Sequence, residues 1–383
     1  MASTAIEVSQ ASKRRNALFF LYLGFLLTGV VNAILGPLLP VLQSRFQVTD
    51  SELGTLFAAQ FAGASLGGLV SQWRLRLSII GGYALIAVGL LGLSISIWAA
   101  VPIAVFAFGF GLGAAIPATN MTVAHAQRER RASSLNILNL IWGAGAASSA
   151  VVVALVMRWL QFSGMLVFIA GCSAAICAAL MLVRIPLFVP GQTEHQSGRA
   201  AGRLLSYCVA LFLYIGVEGC VGGWAGTYAG TMTHGSLYTT LSLVAFWGAL
   251  LGGRAIAAMI LRYISDDALF KISLLMTAAG LLVFVIARSG TAVVLAALIA
   301  GLGLAPIFAL LLTLMSRYAE AAGTAIPGWL FSLGSMGGAA LPWLFGVTST
   351  HFGGVRYGLI IPCIGTVILS LFAFREGRLN AAQ

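Results

Sequence analysis

The chain has 383 residues, 60% of them hydrophobic and only 8% charged, with a mean hydropathy of +1.00. A soluble globular domain is roughly half apolar and about a quarter charged, so this composition excludes one and points to an integral membrane protein. The net charge of +11, which in a soluble chain would direct attention to nucleic acid, has to be read from where the positive residues fall.

Residues 1–17 form a polar tail, expected to be cytoplasmic, that contains Lys13, Arg14 and Arg15. The apolar run behind it is longer than the apolar region of a signal peptide and lacks a small-residue cleavage site, so it is expected to be retained. Runs of about 20 apolar residues, enough to cross a ~30 Å hydrocarbon core, begin near residues 18, 52, 77, 101, 132, 163, 203, 237, 268, 291, 323 and 355. The expected fold is all-α, with twelve transmembrane helices. Alternating the loops puts sixteen Lys and Arg on one side and four, Arg45, Arg158, Arg288 and Arg356, on the other. This positive-inside pattern predicts both termini in the cytoplasm, and the chain is expected in the plasma (inner) membrane of a bacterial cell. Nucleic acid is not an expected partner.

The five cysteines all lie inside expected spans, where they act as small hydrophobes, and the four histidines have no ligand-like spacing. No disulfide framework, metal or cofactor is expected. Asp50 and Glu52 in "VTDSELG" read as the cap of the second span.

After the sixth span, "RIPLFVPGQTEHQSGRAAGR" is the longest polar interruption, with two prolines, three glycines and mixed charges. It predicts six-helix bundles at 18–185 and 203–374, joined by a cytoplasmic linker at 186–202 and followed by a cytoplasmic tail at 375–383. "FAGASLGG" at 61–68 matches "FWGALLGG" at 246–253 in six of eight positions, and "GFGLGAAIP" at 109–117 faintly echoes "GLGLAP" at 301–306. A repeat with six intervening spans keeps its orientation, so the halves are expected to be related by a pseudo-twofold along the membrane normal. Chance likeness among small residues is the bland alternative, and generic helix packing accounts for most of the 46 glycines.

In "YIGVEGCVGGW", Glu218 falls about 14 residues into the seventh span, ~21 Å from its cytoplasmic end. An ionisable group at that depth costs at least about 2.5–3.5 kcal/mol on insertion scales. Either it is a permanently neutral acid bonded between helices, or it loads and discharges a proton as its surroundings change. A sodium ion is the variant, because the glycine-rich stretch around it could unwind. Tyr214 shares its helix face at i, i+4. Trp224 is balanced between stacking platform and packing, and Tyr228 follows it by one turn. In the fifth span Asn136, Asn139 and Trp142 lie three residues apart along one stripe. Carboxamides beside an indole suit a pyranose, and interhelical Asn bonding is the alternative. Asn32 and Asn120 sit at comparable depth. Arg254, near the cytoplasmic end of the eighth span, is expected to snorkel or gate.

"GPLLPVLQSRF", "IPATNMTVA", "LNILNLIWGAGA", "YIGVEGCVGGW", "GGR" and "GGAALPWLFG", set in twelve spans, resemble the major facilitator superfamily, and within it the fucose, galactose and glucose cation-symporter branch. The resemblance implies cation-driven monosaccharide uptake by a monomer, with Asn136, Asn139 and Trp142 touching sugar. Where proton-coupled fucose carriers of that branch have carboxylates in the first and fourth spans, this chain has Ala33 and Ile116, so coupling is expected to rest on Glu218. The loop after the second span lacks the superfamily's usual Asp. The resulting expectation is a proton- or sodium-coupled symporter with sugar held by Asn32, Asn120, Asn136, Asn139, Trp142, Glu218, Trp224 and Tyr228, and no enzymatic activity. The alternatives are a proton-coupled exporter of amphipathic compounds and a non-transporting membrane sensor.

Overall fold

A computed structural model of the chain describes residues 2–71, 74–95, 97–127, 130–183, 201–232, 236–321 and 328–381. The expected linker at 186–202 lies outside them for all but its last two residues, as do Arg128, Arg184, Arg199, His195 and His234. The described residues form helices α1 (Ala2–Asn32), α2 (Leu35–Phe46), α3 (Asp50–Val70), α4 (Leu75–Ser94), α5 (Val101–Ala126), α6 (Arg131–Leu182) and α7 (Ala201–Met232). They continue as α8 (Ser236–Ile260), α9 (Asp266–Ile286), α10 (Gly290–Leu304), α11 (Ile307–Ala321), α12 (Gly328–Phe352), α13 (Val355–Gly358) and α14 (Ile360–Ala381), with no strand among them. Ten helical stretches are long and apolar enough to cross a membrane, and the bent pair Asn16–Asn32 and Leu35–Phe46 makes an eleventh. An all-helical build is what the bilayer demands, since only helices or closed barrels satisfy their own backbone groups in hydrocarbon.

Proline sets two of the breaks. Pro37 has no N–H to offer the carbonyl of Ala33 and its ring crowds that carbonyl, so the chain turns at residues 33–34 between α1 and α2. Pro306 separates α10 from α11 in the same way. Pro117 is instead absorbed inside α5. The expected boundary between the fifth and sixth spans falls within α6, where Gln161 alone leaves helical geometry at φ 57°, ψ −174°.

The chain divides into two compact units, one of residues 1–32, 62–146 and 155–191, the other of 33–61, 147–154 and 192–383. Within the first, α1 and α6 cross so closely that a methyl on Gly29 would strike the Trp142 carbonyl, and one on Gly145 the Leu26 carbonyl. Within the second, Gly337 of α12 sits against the Phe212 carbonyl of α7. Close backbone approach supplies the dispersion contact that replaces a hydrophobic driving force in lipid. The repeated octapeptide does not repeat its contacts: Gly63 and Gly67 press on the α5 backbone, whereas Gly248 and Gly252 face open space. Gly337→Ala is therefore expected to destabilise the protein by about 1–3 kcal/mol through overpacking, while Gly248→Ala stays near neutral. Thermal unfolding in detergent measures both, and equal midpoints for the two variants would refute the crossing as a tight one.

Candidate functional site

An uninterrupted apolar run makes α7 a single helix, and its glycines are occupied as contact points. Gly219 meets Pro342, Gly222 meets Phe246 and Trp247, and Gly223 meets Phe57. The local unwinding expected around Glu218 therefore does not occur: α7 is helical from Ala201 to Met232. On this rod the Tyr214 hydroxyl donates to Glu218 Oε2 one turn away, and Tyr214 packs its ring on Phe308 at 5.9 Å. Arg254 of α8 brings Nη2 to 4.0 Å from the same carboxylate oxygen. The Glu218 side chain is 16% exposed and that of Arg254 32%, so the pair is neither sealed nor fully solvated.

A lone acid and a lone base on adjacent apolar helices neutralise each other, which lowers the penalty of holding either at depth. Arg254 thus does more than snorkel. Removing it alone strands a carboxylate, so Arg254→Met is expected to destabilise the protein, by less than the roughly 3–5 kcal/mol of a fully buried pair. Adding Glu218→Gln is expected to restore most of the loss. Unfolding midpoints of the two single variants and the double variant test this, and additive losses would rule out the pairing.

Trp224 is completely buried, stacked on Phe345 at 4.9 Å, with its indole N–H donated to the Pro342 carbonyl at 3.2 Å. Tyr228 is likewise buried, its hydroxyl donating to the Phe284 carbonyl at 3.1 Å. Of the two roles weighed for Trp224, packing is the one its contacts fill. In the first unit Asn136 and Asn139 are exposed on α6 with Trp142 half-buried beyond them, while Leu138 and Gly145 on the other side of the helix are buried. Asn32, half-buried, ends α1 three residues beyond the Gly29 crossing. Asn120, also half-buried, donates Nδ2 to the Ile116 carbonyl at 3.0 Å.

Two further acidic groups make long-range bonds that no sequence signal announced. Thr49 and Glu52 form a reciprocal capping box at the start of α3, Glu52 accepting from the Thr49 N–H at 2.8 Å. That leaves the buried Asp50 carboxylate to accept from Gln43 Nε2 at 2.8 Å and from the Ser349 hydroxyl, while the Ser51 N–H donates to Thr350 Oγ1 at 2.8 Å. Glu376, in the expected C-terminal tail, is 3% exposed and accepts from Arg203 and from the Tyr207 hydroxyl, each at 2.7 Å.

The sequence profile of the Major Facilitator Superfamily matches residues 21–327. The chain belongs to that superfamily. No curated protein matches it. Among solved structures, a variant of the E. coli fucose:proton symporter FucP is similar at 16% identity and a TM-score of 0.60, covering 92% of this chain and 97% of that one. A bacterial homologue of the human lysosomal transporter Spinster, inward-facing and unoccupied, is similar at 13% identity and a TM-score of 0.76, covering 96% and 97%. Its inward-facing, occupied form gives 12% and 0.75, over 94% and 96%. At these identities the likeness is one of fold. A member of this superfamily is an integral membrane transporter, and Tyr214, Glu218 and Arg254 form one ionisable cluster within the spans of the second unit.

Proposed function

We propose that the protein is a cation-coupled monosaccharide symporter of the plasma (inner) membrane, acting by alternating access with both termini cytoplasmic. The observation that carries this reading is the partly exposed Glu218, held by Tyr214 and faced by Arg254 within α7 and α8. An acid at that depth with a base beside it and some access to solvent is a carrier of charge, not a packing residue. Because α7 stays helical, its carbonyls are engaged in the helix, which favours a proton over sodium as the coupling cation.

Loading a cation on Glu218 cancels its attraction for Arg254. Two unit charges 4 Å apart interact by about 4 kcal/mol at an effective dielectric of 20, comparable with the roughly 5.5 kcal/mol that swings a two-state equilibrium from 1:99 to 99:1. Sugar recognition is assigned to the exposed carboxamides of Asn136 and Asn139 with the edge of Trp142, aided by Asn32 and Asn120. Exposed amides in an apolar helix fit a watered cavity better than lipid. Trp224 and Tyr228 hold the helices behind Glu218.

Twelve crossings in two halves complete the reading. The stretch Ser133–Leu182 is 50 residues long, about 75 Å of helix against a ~30 Å hydrocarbon core. A reversal at Gln161 makes it two spans, which with the bent first span brings the total to twelve. Uptake of labelled fucose, galactose and glucose into proteoliposomes, under proton and sodium gradients imposed separately, tests the function. Accumulation under the proton gradient is expected, and fluorescent-dye efflux without sugar uptake would instead select the exporter of amphipathic compounds.

A further inference from the structure

A groove of about 400 Å³ runs along the first unit, walled by the end of α3 and the first half of α4 and floored by α5. Its apolar lining includes Val70, Leu77, Leu85 and Phe110, and Leu77 is 61% exposed. On a helix that crosses a membrane such exposure faces acyl chains, not water. The α4 wall is open at Gly81, where an added methyl would meet nothing within 4 Å, whereas the next residue, Gly82, is pressed against Gly111. At one end of the groove stands Arg74, exposed and part of its lining. Arg76, two residues on, is engaged with the Met181 carbonyl at 3.0 Å. Among the described residues, none that lines the groove is acidic.

An apolar slot with a single guanidinium at its end matches a ligand that is a long hydrocarbon chain with an anion at its head. We propose that this groove holds an acyl chain of an anionic phospholipid whose phosphate pairs with Arg74. No described lining residue offers a carboxylate to the ammonium of a zwitterionic headgroup, which favours net negative lipid. The guanidinium fork suits phosphate oxygens in a way an ammonium would not. Filling the wall at Gly81 blocks the chain without touching the charge, and neutralising Arg74 removes the charge without touching the slot.

Native mass spectrometry of the whole protein, released from detergent with phosphatidylglycerol, with phosphatidylcholine of the same chains, or with glycerol phosphate, reads occupancy directly. Phosphatidylglycerol is expected to be retained roughly fivefold better than phosphatidylcholine, the worth of one basic residue near an anionic surface. Arg74→Gln is expected to erase that preference while leaving the remaining lipid bound, and Gly81→Leu to reduce retention of both lipids. Glycerol phosphate alone is expected to be lost. The proposal is overturned if Arg74→Gln keeps the native preference, if Gly81→Leu retains as much phosphatidylglycerol as the native protein, or if glycerol phosphate is retained as well as the lipid.

Discussion

Replacing Glu218 with Gln is expected to collapse gradient-driven sugar accumulation to simple equilibration while leaving sugar exchange in place. One elementary charge moved per cycle through 100 mV is worth about 2.3 kcal/mol, which corresponds to roughly fiftyfold accumulation by the native protein. Gln keeps the volume of Glu and a carbonyl oxygen to accept from the Tyr214 hydroxyl, so α7 and its packing survive. What disappears is the charge that a cation titrates and that Arg254 faces at 4.0 Å. The internal-to-external sugar ratio in proteoliposomes should fall to about one under an imposed gradient, and counterflow without a gradient should persist. Accumulation by the variant at the native level would make Glu218 structural and would remove the coupling mechanism with it. Loss of counterflow as well would mean that the substitution had broken sugar binding, a different failure that the unfolding midpoint helps to separate from misfolding.

Much of the fold was legible because hydrocarbon leaves so few options. Apolar runs of the right length had to be helices, and they are. The division of α6 was not legible in its detail: no glycine or proline marks the single non-helical residue, Gln161. Pro37 and Pro117 read alike in sequence, yet the chain turns just before one and runs helically through the other, because neighbouring helices decide whether freed backbone groups are tolerated. Glu218 announced itself as an acid in oil, and Tyr214 followed from helical spacing. Arg254 was visible but was assigned to a helix end, since its reach to Glu218 depends on the register between α7 and α8, which periodicity does not carry. Trp224 sat evenly between two roles until its burial and its bond to the Pro342 carbonyl favoured packing. The Asp50 bonds to α12 join residues 299 apart in the chain, a separation no local pattern spans.

Those Asp50 bonds lead to the second large effect: Asp50→Ala is expected to open the non-cytoplasmic mouth of the transporter. In the proposed topology the start of α3 and the end of α12 lie on that side, so access from outside requires the Asp50–Ser349 and Ser51–Thr350 bonds to break. Capping of α3 belongs to Thr49 and Glu52, so the substitution removes a tether and spares the helix. Hydrogen bonds to a charged group contribute about 1.5–3 kcal/mol each. Of the two, the bond from Ser349 crosses to α12, whereas that from Gln43 joins α2 to α3, so losing the former, partly offset by water, shifts the closed–open equilibrium by roughly tenfold. Spin labels at Gln47 and Phe352, which are both exposed, should report one dominant short distance in the native protein and a dominant longer one in Asp50→Ala. Ser349→Ala, which removes the same link to α12, should give a comparable shift in the same direction, and Asp50→Asn a smaller one because it keeps an acceptor. An unchanged distance distribution in Asp50→Ala would leave the carboxylate as a local brace for α3 and move the outer gate elsewhere in the fold.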